Sequence, residues 1–210
     1  MKKEIIILTK SSRHKGFCVA GIDTKTKQWV RLLTTNKKIN CSLSKNNMKL
    51  TDGNEVNVLD KVILDVIESC PTKLQPENVL INENHKWEKV SNYKIDEFLS
   101  FYSPEKHQYI FENTNEFLNN EQISKVGISL IITVVENASI NIKNDYKRKI
   151  SFTYNNRYYD SITVTDPDYY NIPNNTNIGK VAIVVSLLDD EWSHNNNKYY
   201  KFVAKIFPLT

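Results

Sequence analysis

The chain has 210 residues, 25% of them charged and 40% hydrophobic, with a formal net charge of +4. That length suits one large or two small domains with ample core, and no apolar run approaches the roughly 18 residues of a spanning helix. Cys18, Cys41 and Cys70 form no C-x-x-C pair, which argues against a disulfide scaffold and for a reducing compartment. The apolar residues Ile5, Ile6, Ile7 and Leu8 are too few for a signal-peptide core, so a cytoplasmic location is expected.

Charge is spread unevenly. Residues 1–50 carry 12 Lys or Arg against 2 acids, Glu4 and Asp23, whereas residues 51–145 carry 8 lysines against 16 acids. Residues 146–210 hold 8 basic and 6 acidic side chains. The asymmetry has two physical readings: a polyanion-binding end, or a basic segment docked on the chain's own acidic middle.

Residues 4–9 are short, apolar and β-branched, which predicts a buried strand. Residues 17–22 and 29–33 follow as strands joined by a polar connection, making a meander in which Trp29 and Arg31 share a face. The stretch 34–53, with Lys37, Lys38, Lys45 and Lys49, reads as a long cationic loop. Residues 55–68 return to strand, with Val56, Val58, Val62, Leu64 and Val66 of one parity, and Cys70-Pro71 ends it. Residues 76–81 add a short edge strand, completing an all-β unit over residues 1–90.

In residues 91–127 the period changes. Ile95, Phe98, Leu99 and Tyr102 stand at helical spacing, with Ser91-Asn92 as the expected cap and Pro104 as the stop. A weaker helix is predicted over 119–126, with Gly127 beyond it. This acidic segment reads as a helical connector. In residues 128–210, the runs 129–136 and 180–187 read as buried strands. Residues 198–207 alternate, Tyr200, Phe202, Ala204 and Ile206 against Tyr199, Lys201, Val203 and Lys205. Between them lies a hairpin: Ile150, Phe152 and Tyr154 on one face, a turn at Asn155-Asn156, then Ile162 and Val164, with Pro167 ending the ladder. Five short strands with long charged loops fit a small barrel better than a sandwich. The fold class is therefore mainly β, two tandem five-stranded barrels with a small helical connector.

Several stretches together resemble the prokaryotic dual OB domain proteins: Glu4-Ile-Ile-Ile-Leu-Thr-Lys, Phe17-Cys-Val-Ala-Gly-Ile-Asp, Trp29-Val-Arg, Gln75-Pro-Glu-Asn-Val, Val164-Thr-Asp-Pro and Tyr200-Lys-Phe-Val-Ala-Lys-Ile-Phe. The resemblance spans nearly the whole chain and implies two OB-type barrels in tandem. The fifth strand of the first barrel then has to come from residues 79–82 or from beyond the connector.

Cations beside flat rings on a sheet suit a single nucleic-acid strand, phosphates meeting the first and bases the second. The candidates in the first barrel are Lys10, Arg13, Lys15, Trp29, Arg31, Lys37 and Lys38. In the second they are Lys147, Arg148, Lys149, Tyr154, Arg157, Tyr158 and Tyr159. Tyrosine is also an ordinary strand residue, so the competing reading is core packing. The expected function is non-enzymatic binding of single-stranded or accessible DNA or RNA with weak sequence preference. One alternative is an adaptor that docks a protein partner in a larger complex. A second is a Mg²⁺ nuclease built on Asp160, Asp166 and Asp168 or on Asp189, Asp190 and Glu191. No paired metal ligands at zinc spacing, no Gly-rich phosphate loop and no nucleophile motif occur, so no cofactor, metal or catalytic residue is expected.

Overall fold

The structure, a computed structural model, describes residues 1–13, 16–104, 106–143, 147–188 and 191–209, the side chains of Arg13, Glu191 and Trp192 excepted. It forms two compact units, Met1–Ser103 and Pro104–Thr210.

The first unit contains β1 (Lys2–Arg13), β2 (Gly16–Asp23), β3 (Trp29–Leu33), β4 (Asp60–Ser69), β5 (Asn78–Ile81), β6 (Glu88–Asn92) and the helix α1 (Ile95–Phe101). The sheet runs β1-β2-β3-β5-β4, and β4 pairs back onto β1, closing a barrel. Only β3 and β5 run parallel among its pairs. Two close approaches of chain segments require glycine. A Cβ on Gly21 would stand 2.1 Å from the Ile6 carbonyl oxygen, and one on Gly16 would stand 2.7 Å from the Ser42 hydroxyl oxygen.

The core of this barrel combines Ile5, Ile7, Val19, Val30, Leu32, Val62 and Leu64 from the strands with Leu43, Met48, Leu50 and Val56 from residues 34–59. Full burial of such side chains stabilises by about 1.5–3 kcal/mol each. The β3–β4 connection is thus more than a loop. It holds two 3₁₀ turns, Lys37–Ile39 and Lys45–Met48, capped by the side chains of Asn36 and Ser44.

Three expectations need correction here. The strand expected from residue 55 begins at Asp60, because Val56 packs from the connection instead. The expected edge strand at 76–81 is β5, inserted between β3 and β4, which supplies the fifth strand. Ser91 and Asn92 do not cap α1 but belong to β6 on β4; the N–H of Lys94 donates to the Glu97 carboxylate at 2.8 Å instead.

The second unit contains β7 (Phe117–Leu118), α2 (Asn120–Ile123), β8 (Leu130–Ile142), β9 (Arg148–Tyr154), β10 (Arg157–Val164), β11 (Thr176–Leu187), α3 (Glu191–Asn196) and β12 (Tyr199–Pro208). The order β10-β9-β8-β11-β12 closes through a parallel contact of β10 with β12, Thr163 opposite Phe202. This repeats the strand order of the first barrel. The β9–β10 turn falls at Asn155 (φ 49°) and Asn156 (φ 58°), the left-handed pair that a two-residue hairpin demands.

The expected connector, 91–127, is divided: α1 belongs to the first unit, β7 and α2 to the second. Residues 107–118 form a strap on the second barrel. The Tyr154 hydroxyl accepts from the His107 N–H at 3.0 Å and donates to its carbonyl at 2.9 Å. The Tyr159 hydroxyl accepts from the Ile110 N–H at 2.9 Å, and β7 pairs with the start of β12. The register of β12 slips at a bulge opposite Val184/Val185, so simple alternation fails along it. Lys201 ends up 1% exposed, its ammonium donating to the Asn113 carbonyl at 2.5 Å and side-chain oxygen at 2.9 Å.

Candidate nucleic-acid interface

Val30 and Leu32 point into the first barrel, so Trp29 and Arg31 between them point to its outer sheet face, where OB barrels take ligands. Arg31, however, is only 3% exposed. Its Nε and Nη2 both donate to Glu77 Oε1 at 3.2 Å, and Glu77 immediately precedes β5, which lies parallel to β3 with Asn78 opposite Arg31. Arg31 is a buried ion pair, not a phosphate contact. Lys10 is engaged as well, donating to Glu55 at 2.7 Å and to the Val56 carbonyl at 2.6 Å. Trp29 is half-buried, while Lys37 and Lys38 are exposed. Lys15 and the side chain of Arg13 lie outside the described residues.

In the second barrel, Tyr154 is 8% exposed and Tyr159 fully buried. The Tyr159 ring stacks on Phe152 at 5.0 Å, so neither tyrosine offers a face to a base. Burial also pushes the Tyr159 hydroxyl up in pKa, though the Ile110 N–H opposes this. Lys149 donates to Thr163 at 2.9 Å and to Glu116 at 3.2 Å. The neighbouring Asp160 accepts from the Ser151 hydroxyl at 2.7 Å, and that bond holds its carboxyl below the usual range despite some burial. A carboxylate on this face repels phosphate. What stays outward is Tyr158 at 64% exposure, Lys147, and half-buried Arg148 and Arg157. The Arg157 guanidinium sits 4.6 Å from the centre of the Tyr109 ring.

Of the side chains expected on two aromatic-basic sheet faces, Arg31, Tyr154 and Tyr159 are buried and Lys10 and Lys149 are engaged within the chain. The structure instead gathers cations on the β3–β4 connection of the first barrel, where Lys37, Lys38, Lys45 and Lys49 are all exposed. Of the acids beside them, Glu55 lies across a β-bridge from Lys49 but pairs with Lys10, and Glu83 accepts from the backbone and hydroxyl of Thr35 at 3.0 and 2.9 Å and from the Asn47 amide at 3.0 Å. Glu83 thereby ties the approach to the first 3₁₀ turn to the second without pairing a lysine. Among the described residues, no carboxylate forms an ion pair with any of these four lysines. Phe17 and Leu43 exchange backbone hydrogen bonds at 2.8 and 2.9 Å, stitching the connection to the β1–β2 hairpin.

Comparison with known families agrees with this architecture: the model of the dual OB-containing domain matches residues 3–206. The chain is a dual OB-containing domain protein. A search of curated proteins gives no match. A solved structure described as "Molecular basis for abrogation of activation of pro-inflammatory cytokines" aligns over 100% of this chain and 93% of its own. Its 12% identity and TM-score of 0.36 are too distant to inform fold or function.

In this dual OB-containing domain protein the acids proposed for metal binding have another role. Asp166 is 1% exposed. It accepts from the Ile206 N–H at 3.0 Å and the Asp168 N–H at 3.2 Å, and Lys205 bridges Asp166 and Asp168. Burial raises the Asp166 carboxyl, with Lys205 opposing. The cluster locks the end of β10 to β12. Asp189 and Asp190 lie outside the described residues. No group of three or more His, Cys, Asp or Glu placed to hold a metal occurs among the described residues. Cys18, Cys41 and Cys70 are not joined in disulfides. Lys45 and Lys49 were legible as loop cations, but only their shared carboxylate clip places them with Lys37 and Lys38.

Proposed function

We propose that this protein binds nucleic acid non-enzymatically, DNA or RNA, through phosphate contacts from the lysine-bearing connection of the first barrel and with weak sequence preference. The observation that carries the reading is the exposure of Lys37, Lys38, Lys45 and Lys49 around a carboxylate already engaged by neutral donors. Cations without partners release condensed counterions when they meet a phosphate backbone, which gives affinity that falls steeply with salt. A dual OB architecture is consistent with such a role, and Tyr158 adds one exposed ring for base stacking in the second barrel.

Filter binding of an oligonucleotide at about 50 and 200 mM salt tests this. Replacing the four lysines with Gln is expected to abolish binding at the higher salt and to reduce the log–log salt slope by about 3 for a single strand. Binding with an unchanged slope in that variant would sink the proposal. The adaptor reading gains from one observation, the withdrawal of Tyr154 and Tyr159 into the core. It predicts no oligonucleotide binding at either salt concentration, and a partner protein as the occupant of the outer surface.

A further inference from the structure

Beside β1 and β4 of the first barrel an open cleft of about 280 Å³ is lined in part by Lys2, Thr51, Asp65, His85, Lys86 and Glu88. His85 Nδ1 stands 2.6 Å from the Asp65 carboxylate. That contact orients the ring and leaves Nε2 as the nitrogen available to a ligand. A carboxylate behind a histidine is how binding sites commonly fix an imidazole's direction.

The cleft adjoins the lysine-bearing connection. The N–H of Trp87 donates to the Lys49 carbonyl at 3.2 Å, and the Thr51 N–H donates to the Trp87 carbonyl at 2.9 Å. Lys86 is therefore held beside Lys49 across this short pairing. At the other end of the same loop, Glu83 is bonded to Thr35 and Asn47. Residues 83–87 thus fasten the cleft to the connection that bears the four exposed lysines, so a track of cations along that connection would end at Lys86 and Lys2.

We propose that this cleft is a phosphate subsite at the end of that track, an inference that rests on the nucleic-acid reading above. Lys2 and Lys86 supply the charge, and the Thr51 hydroxyl and His85 Nε2 the directed hydrogen bonds. With a phosphate bound, Nε2 of His85 faces a phosphate oxygen while Nδ1 stays on Asp65. Asp65 is turned to His85 but keeps its charge, so Lys2 and Lys86 balance Asp65 and Glu88, and Lys49 beside Lys86 tips the surroundings to the cationic side. The phosphate comes either from a strand terminus or from an internal diester.

The test follows the ring resonances of His85 by NMR in the full chain, titrated with inorganic phosphate and with oligonucleotides bearing a 5′-phosphate, a 3′-phosphate or neither. The expected result is a saturable shift with inorganic phosphate that weakens at least about tenfold in K2Q/K86Q. A larger response to one phosphorylated end identifies a terminus as the source, and equal responses identify the internal diester. The absence of a saturable phosphate shift, or an equal shift in K2Q/K86Q, overturns the subsite. Oligonucleotide binding that depends on the four loop lysines while His85 stays silent overturns the subsite and leaves the function reading intact. A saturable phosphate shift without oligonucleotide binding does the reverse.

Discussion

The two barrels share a strand order and differ in what fills them. In the first, residues 34–59 send Leu43, Met48, Leu50 and Val56 into the core and leave their lysines outside. In the second, the corresponding connection is only residues 165–175, contributing a short 3₁₀ turn with buried Tyr169. A strap from before the barrel, 107–118, takes up the hydroxyls of Tyr154 and Tyr159 and the ammonium of Lys201 instead. A long insertion can be strongly cationic on its outer side because its apolar residues anchor it. Aromatic residues in the equivalent sheet are withdrawn from any ligand once the strap needs them.

Substitutions can break this comparison. The largest effect is expected from Tyr159→Ala, which empties a fully buried ring site and leaves the Ile110 N–H without its acceptor. About 3–5 kcal/mol of stability should be lost, confined to the second unit and read by denaturant unfolding with hydrogen exchange. If Tyr159 were a stacking residue, binding would fall and stability would hold. Arg31→Ala in the first unit should cost a similar or slightly smaller amount, about 3 kcal/mol, because it breaks a buried ion pair from one side. Pairing it with Glu77→Leu should recover much of that loss in the same assay, which a phosphate-binding arginine would not show.

A third expectation concerns pH. Burial pulls the Lys201 amine down to about 7, against 10.5 when exposed. Between those values the unfolded chain binds a proton that the folded one does not, so stability rises with pH across the window and is flat with respect to this group below about 7. Thermal melts of the wild type and Lys201→Met from pH 7 to 10 should therefore converge or cross as the wild type gains a few kcal/mol relative to the variant. A constant difference would refute the lowering of this amine by burial. The smallest effect sharpens the contrast from the second barrel's side. Tyr158→Ala should weaken single-strand binding by about 1 kcal/mol with no change in salt slope, measured by the same filter assay.

Much of the fold was legible because hydrophobic period and turn chemistry act locally. The opening meander, the Asn155-Asn156 hairpin and the buried runs at β8 and β11 all follow from neighbours in sequence. Arg31 was not legible, since its partner Glu77 arrives through a parallel pairing of β3 with β5 that no local pattern announces. Lys201 was misleading for a different reason: the bulge beside Val184/Val185 breaks the parity on which the alternation rests. The tyrosines did carry a usable signal. Tyr154 shares parity with Ile150 and Phe152, and adjacent Tyr158 and Tyr159 have to face opposite ways. At most one of that adjacent pair stands outward, as Tyr158 does.

The strap also decides where the chain can be cut. A fragment beginning at residue 128 retains every strand of the second barrel's closed sheet but discards His107, Ile110 and Asn113, which meet Tyr154, Tyr159 and Lys201. Three interior polar groups would be stripped of their partners at once, so expression of the second unit alone should begin at Pro104, ahead of β7.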